Sequence, residues 1–357
     1  SVLVMLIAGA FAVLRLLRGH PRVKQAAGVD EMARVRPIVA SSTRSDANLA
    51  LLGDKKFLFH PSSDAMLMYQ GSHRSFVALG DPVGNPERFE ELAWSFRELC
   101  DANDARCVFY EVGDSYLPVY IDLGLSFSKL GEEARVDLRE FDLASSKRAE
   151  LRHALNRSKR DGAEFFVVPA GEVPGIMADL RRVSDQWLQA KNAHEKGFSL
   201  GFFDPAYLAN FDCALLRVGG QVVAFANLWQ GAGRAELSVD LMRFGDAAPK
   251  NSMDALFTHV MLWGREQGYQ WFSLGMAPLA GLERHTLAPA WNKLGNLVYR
   301  FGEHFYNFEG LRHYKQKFEP QWSPRYLASK GGMDLPATLF DTTVLIAGGV
   351  KGVFPAR

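Results

Sequence analysis

The sequence predicts an α/β protein made of two halves of similar length that are joined by a basic helix. Segments with the alternating apolar pattern of strands are interleaved with segments whose apolar residues have helical spacing. This pattern runs over residues 30–144 and starts again over residues 163–330. Residues 145–162, between the two runs, carry six lysine and arginine side chains. We therefore expect two α/β domains, at 30–144 and 163–330, with a linker helix between them.

The composition is that of a globular protein. The chain has 357 residues, of which 48% are hydrophobic and 23% charged, enough for two domains of ordinary size. The formal net charge is +1, so a site for nucleic acid or lipid phosphate would have to come from a local cluster of basic residues. The three cysteines form no CxxC pair and the histidines no HExxH pattern. The sequence therefore predicts no metal site, no disulfides and a reducing compartment, and it indicates no cofactor.

The N-terminal segment, residues 1–24, has the pattern of a membrane anchor. Its first fourteen residues, SVLVMLIAGAFAVL, carry no charge, and basic residues follow them. A complete span needs about 20 apolar residues, and a signal peptide places its basic residues before the apolar run. We interpret the segment as the end of a transmembrane helix with its basic flank on the cytosolic side. A buried N-terminal helix is the alternative.

The first half, residues 30–144, predicts a sheet with one long helix. The helix, over 85–104, begins at an Asn-Pro pair and keeps apolar residues at helical spacing. Residues 115–125 predict a short helix or turn. The expected strands, which alternate apolar and polar residues between turn-forming residues, are 55–60, 65–70, 75–82, 106–112 and a strand pair within 126–138.

The second half, residues 163–330, indicates which α/β fold the chain adopts. Its predicted elements are a strand at 164–170, a helix at 173–191, a hairpin at 212–230 that turns at a Gly-Gly pair, a strand at 234–244, a helix at 251–268 and a strand at 269–279. This order is that of the GNAT acyltransferase fold, in which two splayed parallel strands admit the acyl donor. Coenzyme A users carry a glycine-rich loop after the central strand, whose N–H groups bind pyrophosphate. Here that place reads RFGDAAPKNSMD (243–254), so coenzyme A is not the expected donor.

The segment NFEGLRHYKQKFEPQW, residues 307–322, combines aromatic rings with cations. Helical spacing over 308–318 places Lys315 on or beside the apolar face. Burying a lysine costs free energy unless it meets an anion, so a phosphate or an oxyanion would be a fitting partner. The alternative is a surface lysine whose aliphatic stem covers the rings.

Three stretches together resemble one family: ELSVDLMRF, APKNSMDALFTHVMLWGREQGYQWFSLGMAPL and FYNFEGLRHYKQKFEPQW. They look like the cytosolic domain of the aminoacyl-phosphatidylglycerol synthases, the multiple peptide resistance factor family. The resemblance covers nearly the whole chain. It implies tandem GNAT-like domains that move alanine or lysine from aminoacyl-tRNA to the glycerol headgroup of phosphatidylglycerol. It also implies an inner-membrane location with the catalytic domain on the cytoplasmic face.

The resemblance implies a wider role and a partner. The product lipid lowers the negative charge of the membrane and gives resistance to cationic antimicrobial peptides, which bears on virulence. Full-length members carry an N-terminal membrane domain that flips the product. Among members, the overall resemblance favours an alanyl-phosphatidylglycerol synthase, with lysine as the alternative donor.

Three residues are the expected catalytic groups. Lys315, which matches the family motif, would stabilise an oxyanion or bind a phosphate. Asp240 would bind the ammonium of the amino acid or orient the hydroxyl, and Arg243 would clamp a phosphate. Residues 240 and 243 face opposite sides of a regular strand, so this hypothesis requires a β-bulge. A salt bridge at a strand end is the alternative for the last two.

Further candidates surround these groups. Asn251, Ser252 and Asp254 begin the helix at 251–268, where they would cap it, bind the donor, or both. Glu309 and Arg312 lie at helical spacing from Lys315 and would orient it as a pair, or pair on the surface. Tyr314 is the remaining candidate for substrate binding.

The basic helix and the C-terminal tail each have two interpretations. The helix would contact tRNA or an anionic membrane, or would simply be a solvated linker face. Its cations are Lys147, Arg148, Arg152, Arg157, Lys159 and Arg160. The apolar tail, residues 331–357, is interrupted by a Gly-Gly pair and would lie in the membrane interface or pack on the domain.

Two other functions stay open. A peptidoglycan-bridge aminoacyl transferase would use a peptide amine as acceptor, but members of that class contain a long helical arm that is not visible here. A non-enzymatic lipid-sensing domain would have no use for Lys315, Asp240 and Arg243 in one cleft.

Overall fold

The computed structural model describes residues 27–191, 194–281 and 308–349. They form an α/β fold, as predicted, around one mixed sheet with the strand order β1-β2-β3-β5-β12-β6-β11-β10-β9-β8-β7, while β4 pairs with β2. The strands are β1 Lys56–Phe59, β2 Ala65–Ser72, β3 Ser75–Leu79, β4 Val83–Gly84, β5 Arg106–Val112, β6 Ser126–Asp137, β7 Ala163–Val168, β8 Cys213–Val218, β9 Gln221–Gln230, β10 Glu236–Phe244, β11 Trp271–Pro278 and β12 Gln321–Ser329.

Helices pack on this sheet through apolar faces. In α7, for example, Leu256, Val260 and Met261 are buried together with apolar residues of β8, β9 and β10. The helices are α1 Val29–Ser41, α2 Phe89–Ala102, α3 Leu117–Asp122, α4 Ala149–Arg160, α5 Met177–Lys191, α6 Pro205–Leu208, α7 Ser252–Glu266, α8 Phe308–Gln316 and α9 Leu335–Ile346. No helix in the described ranges is long and apolar enough to cross a membrane. The anchor predicted at 1–24 lies outside those ranges.

The two predicted halves are interleaved in the sheet. Strand β12, from the end of the chain, lies between β5 and β6 of the first half, and β6 also pairs with β11 of the second half. The prediction of two strands within 126–138 is therefore wrong, because β6 is one continuous strand with a partner on each side. A turn inside this segment would leave both neighbouring strands without ladder partners.

The sheet opens between β10 and β11. These parallel neighbours pair at Glu236 with Trp271, Leu237 with Phe272 and Ser238 with Ser273, and the pairing ends there. Just beyond this point β10 bulges against β9, and β11 bulges against β6. A bulge adds one residue to one strand and bends it, so the two strands diverge. The resulting splay is the feature on which the predicted site depends.

The basic segment is not a free linker. A 3₁₀ turn at Ser146–Arg148 leads into α4, which packs against α7 and β7 and buries Leu151 and Ala154. The described part of the tail also packs on the protein. Helix α9 lies against β2, β3 and β5. Packing is therefore what the structure shows for these tail residues.

A buried aspartate fastens α9 to the first half. Asp341 is 2% exposed, and its Oδ2 accepts hydrogen bonds from Ser75 Oγ at 2.6 Å and from an Arg106 nitrogen at 2.9 Å. Its Oδ1 lies 2.7 Å from His73 Nδ1. These contacts satisfy the buried carboxylate and join α9 to β3, to β5 and to the turn between β2 and β3.

We expect Asp341→Ala to lower the free energy of unfolding by about 3 kcal/mol, because it leaves a largely buried Arg106 without its main anion. Urea unfolding followed by circular dichroism measures this. The matched control is Asp334→Ala, since Asp334 is 3.9 Å from the same arginine with a side chain 44% exposed. The control should cost less than about 1 kcal/mol. Equal effects of the two substitutions would contradict the anchoring role.

Candidate active site

Lys315 lies at the splay with its ammonium pointing inward. The residue is 6% exposed, and its Nζ donates to the carbonyl oxygens of Gly275 at 3.0 Å and Met276 at 2.8 Å. These carbonyls belong to the β11 bulge, where Gly275 has a φ of 74°. Burial lowers the pKa of Lys315 to about 8, although the charges of Glu133 and Glu111 oppose this. The inward direction follows the helical pattern, but the partners observed are carbonyls rather than an anion.

A charged cluster surrounds this lysine. Glu133 on β6 accepts a hydrogen bond from Ser273 Oγ at 2.9 Å and pairs with Arg325 of β12. Glu111 on β5 lies within electrostatic reach of Arg325 and Lys315. The cluster therefore contains residues from both halves, which the insertion of β12 beside β5 brings together.

Asp240 occupies the other side of the splay. It follows the last paired residue of β10, Ser238, by two positions, as Gly275 follows Ser273 on β11. Its Oδ1 accepts from the Gly201 N–H at 3.0 Å and its Oδ2 from the Tyr207 hydroxyl at 2.9 Å. Burial raises the pKa of Asp240 to about 6, against the effect of these hydrogen bonds.

Two further groups hold the surroundings of Asp240. Trp229 Nε1 donates to the Tyr207 hydroxyl at 2.9 Å, so this phenol is fixed from both sides. The charge of Lys55 acts on Asp240. The Lys55 side chain is fully buried and pairs with Asp54 at 2.6 Å. The charge of Lys55 and the two hydrogen bonds favour the ionised form of Asp240 in its half-buried position.

Arg243 does not face an open phosphate site. Its guanidinium makes a two-point pair with Glu195, at 2.7 and 3.1 Å, and donates to Ser184 Oγ at 2.9 Å. It also lies over the Trp187 ring at 4.8 Å. The required bulge is present between Val239 and Met242. It allows Arg243 and Asp240 to contact the same loop, residues 194–204, through Glu195 and Gly201.

The start of α7 differs from the cap that the sequence suggests. Asn251 holds the N-cap position with a φ of 64°, but its side chain makes no capping hydrogen bond. Ser252 Oγ donates to the Pro249 carbonyl at 2.5 Å. Asp254 pairs with Lys317 at 3.3 Å. Burial raises the pKa of Tyr314, and the negative charge of Asp254 raises it further. Of these three residues, Asp254 connects α7 to the end of α8.

Arg312 contacts the sheet and a neighbouring ring, while its pairing with Glu309 stays a prediction. Arg312 pairs with Glu132 of β6 at 2.9 Å and lies over the Trp322 ring at 4.9 Å. The Glu309 side chain lies outside the described part of the chain. Arg312 thus fixes α8 to the sheet, which positions Lys315 indirectly.

Most cations of the basic helix have internal partners. Lys147 and Arg148 both pair with Glu319, at 3.3 and 3.4 Å. Arg152 donates to the carbonyls of Leu143 and Ser145, and Arg157 pairs with Asp161 at 3.7 Å. Lys159 and Arg160 are exposed, and no carboxylate in the described ranges pairs with either one. Of the six cations predicted to contact tRNA or membrane, these two form the exposed basic surface without a carboxylate partner in the described ranges.

Several groups at the site were missing from the sequence prediction: Lys55, Glu111, Glu133, Glu195, Gly201, Tyr207, Trp229 and Arg325. Most of them lie on segments remote in sequence from the residues that they contact. Gly201 had a usable signal, since it stands in a run of aromatic and small residues, SLGFFD, where a glycine permits close approach.

We expect Gly201→Ala to destabilise the protein by about 1–3 kcal/mol, because the new Cβ would lie 1.8 Å from Asp240 Oδ2 and force this carboxylate to move. The control is Gly197→Ala in the same loop, where nothing lies within 4 Å of the added carbon. The urea unfolding midpoints of the two variants, compared with that of wild type, measure the difference in stability. A Gly201→Ala midpoint equal to that of the control would show that the loop does not press on Asp240.

Comparison with known proteins places this geometry in a family. The model that describes the C-terminal part of phosphatidylglycerol lysyltransferase matches residues 36–329. The phosphatidylglycerol lysyltransferase of Bacillus subtilis is 35% identical over 351 residues, which are 97% of this chain and 40% of that protein. The chain thus spans less than half of that relative.

Two solved structures are similar over most of the chain. The C-terminal domain of a putative lysylphosphatidylglycerol synthetase from Agrobacterium fabrum is 44% identical, with a TM-score of 0.82, over 90% of this chain and 99% of that one. The structure of L-PGS from Bacillus licheniformis is 34% identical, with a TM-score of 0.81, over 92% of this chain and 99% of that one. The chain belongs to the family of phosphatidylglycerol lysyltransferase C-terminal domains.

Proposed function

We propose that this chain transfers an aminoacyl group from aminoacyl-tRNA to the glycerol headgroup of phosphatidylglycerol. The observation that carries the proposal is the buried ammonium of Lys315 at the splay. An ammonium has three N–H donors, and two of them bind the carbonyls of Gly275 and Met276. The third can donate to a substrate oxygen. A fixed cation in a site of low dielectric is suited to stabilise the oxyanion of acyl transfer.

The other catalytic candidates receive distinct roles in this proposal. Asp240 receives the α-ammonium of the aminoacyl group, because an anion with both oxygens fixed offers a defined direction to a cation. Arg243 is a positioning residue, since its pair with Glu195 holds the loop that carries Gly201. The splay of β10 and β11 supports a GNAT-like site in which the aminoacyl end of the tRNA enters between the strands, and we propose that this site belongs to a tandem GNAT-like arrangement.

Lysine is the donor that we propose first, because the named relatives are lysyltransferases, and alanine, which the sequence resemblance favoured, is the second. Either product would carry an added ammonium and lower the negative charge of the lipid. We propose that this occurs at the cytoplasmic face of the inner membrane, beside a membrane domain that flips the product. The weaker attraction of cationic antimicrobial peptides, and hence resistance, would follow from the changed lipid charge.

The test is transfer of radiolabelled lysine or alanine, each charged on tRNA, into phosphatidylglycerol vesicles. We expect label in the lipid with the wild-type chain and at least a 100-fold loss in Lys315→Ala, the magnitude for removal of an oxyanion donor. The control is Lys330→Ala, an exposed lysine outside the site. Full activity of Lys315→Ala would remove this residue from the chemistry. No transfer of either amino acid by the wild-type chain would favour a peptide-amine acceptor or a lipid-sensing role.

The exposed end of α4 provides a separate test of tRNA binding. We expect Lys159→Glu together with Arg160→Glu to weaken tRNA binding and to flatten its salt dependence, because each lost phosphate contact reduces the counterions released. Titrations between 50 and 200 mM salt, about the range in which such contacts act, measure this. Arg157→Glu, whose partner is Asp161, should have the smaller effect. An unchanged salt slope in the double variant would place the tRNA elsewhere.

A further inference from the structure

Glu111 occupies an unusual backbone position beside the site. In the pairing of β5 with β12, Tyr110 lies opposite Leu327 and Val112 lies opposite Tyr326, so Glu111 is an extra residue in β5. Its φ is 66°, in the left-handed region. A bulge of this form is normally made by glycine, which adopts that conformation without a steric penalty. A glutamate in this conformation strains the backbone, and such strain is concentrated at functional sites. The position therefore suggests a function for the Glu111 side chain.

The bulge directs the carboxylate into the charged cluster of the splay. The charges that act on it come from Arg325 on β12, Glu133 on β6 and Asp46 in the 3₁₀ turn after α1. The ammonium of Lys315 on α8 also lies within electrostatic reach. The Tyr110 hydroxyl donates to the Glu111 carboxylate. Glu111 is nevertheless only half-buried, so a substrate hydroxyl has access to it.

The environment also adjusts the basicity of this group. Burial raises the pKa of Glu111 to about 7, although the positive charge of Arg325 opposes the shift. Its carboxylate is therefore more basic than an exposed one and is largely ionised only above neutral pH. A general base works best when its pKa lies close to the working pH.

The other titratable groups of the site are less suited to accept a proton. The oxygens of Asp240 both accept hydrogen bonds already, from Gly201 and Tyr207. The Lys315 ammonium is needed in its charged form to donate to an oxyanion. Glu133 accepts hydrogen bonds from Ser273 and Arg325, so both of its oxygens already have donors.

We propose that Glu111 is the general base that activates the acceptor hydroxyl, an inference that rests on the function proposed above. The headgroup oxygen forms a bond to the ester carbonyl carbon while its proton passes to the Glu111 carboxylate. The bond between that carbon and the ribose oxygen then breaks, and the proton passes from Glu111 to the ribose oxygen. No other reactant is consumed, and Glu111 returns to its ionised form.

The experiment measures aminoacyl transfer to phosphatidylglycerol vesicles from pH 5.5 to 7.5, corrected for spontaneous ester hydrolysis, with wild type and Glu111→Gln. In wild type the rate should rise with a midpoint near pH 7, as Glu111 loses its proton. Glu111→Gln keeps the size of the side chain, and we expect its rate to fall about 100-fold. Only the lower midpoint near pH 6, from Asp240, should remain in this variant.

A second variant separates chemistry from folding. Glu111→Gly relieves the positive φ, so its thermal midpoint should be at or above that of wild type while its transfer rate falls as in Glu111→Gln. Glu98→Gln, an exposed site on α2, should match wild type in rate and stability.

The outcomes distinguish the inference from the function beneath it. Transfer by wild type together with an unchanged rate in Glu111→Gln would overturn the inference alone. A reduced rate that keeps the wild-type midpoint near pH 7 would also overturn it, because the titrating base would be another group. Absence of transfer by wild type, with both donors, would overturn the proposed function and the inference together.

Discussion

The hydrogen bonds from Lys315 to the carbonyls of Gly275 and Met276 are the interaction on which the site depends. Where β10 separates from β11, the backbone of β11 loses a ladder partner, and a buried carbonyl without a donor is costly. The lysine supplies donors at this position. The carbonyls in turn offset the free-energy cost of burying the ammonium. The opening in the sheet and the cation that fills it are therefore two parts of one arrangement.

Irregular strands determine the direction of the reactive side chains. Bulges occur in β10 at Asp240, in β11 at Gly275 and in β5 at Glu111. Along a regular strand, successive side chains alternate between the two faces of the sheet. The bulges in β10 and β5 break this alternation and re-aim the carboxylates of Asp240 and Glu111, whereas the bulge in β11 presents backbone carbonyls to Lys315. A rigid sheet can thus present polar groups at one opening without giving up its apolar core.

The interleaved strands make the two halves one cooperative structure. Because β12 lies between β5 and β6, the Glu133–Arg325 pair and the position of Glu111 require these three strands to be paired. Helix α9 adds a further connection through Asp341. The site therefore needs contacts between residues far apart in sequence.

The sequence by itself determined the α/β class and most strands and helices, because apolar periodicity records which face of an element is buried. For Lys315 it left an inward and a surface position open, and the structure shows the inward one. It also showed that Asp240 and Arg243 can share a site only across a bulge. Only the tertiary structure decided the partners. Glu319 pairs with Lys147 and Arg148, Glu195 pairs with Arg243, and the position of Glu111 follows from the register of β5 with β12. Periodicity is a local property, whereas ion pairs and strand register depend on segments that meet only in the folded chain.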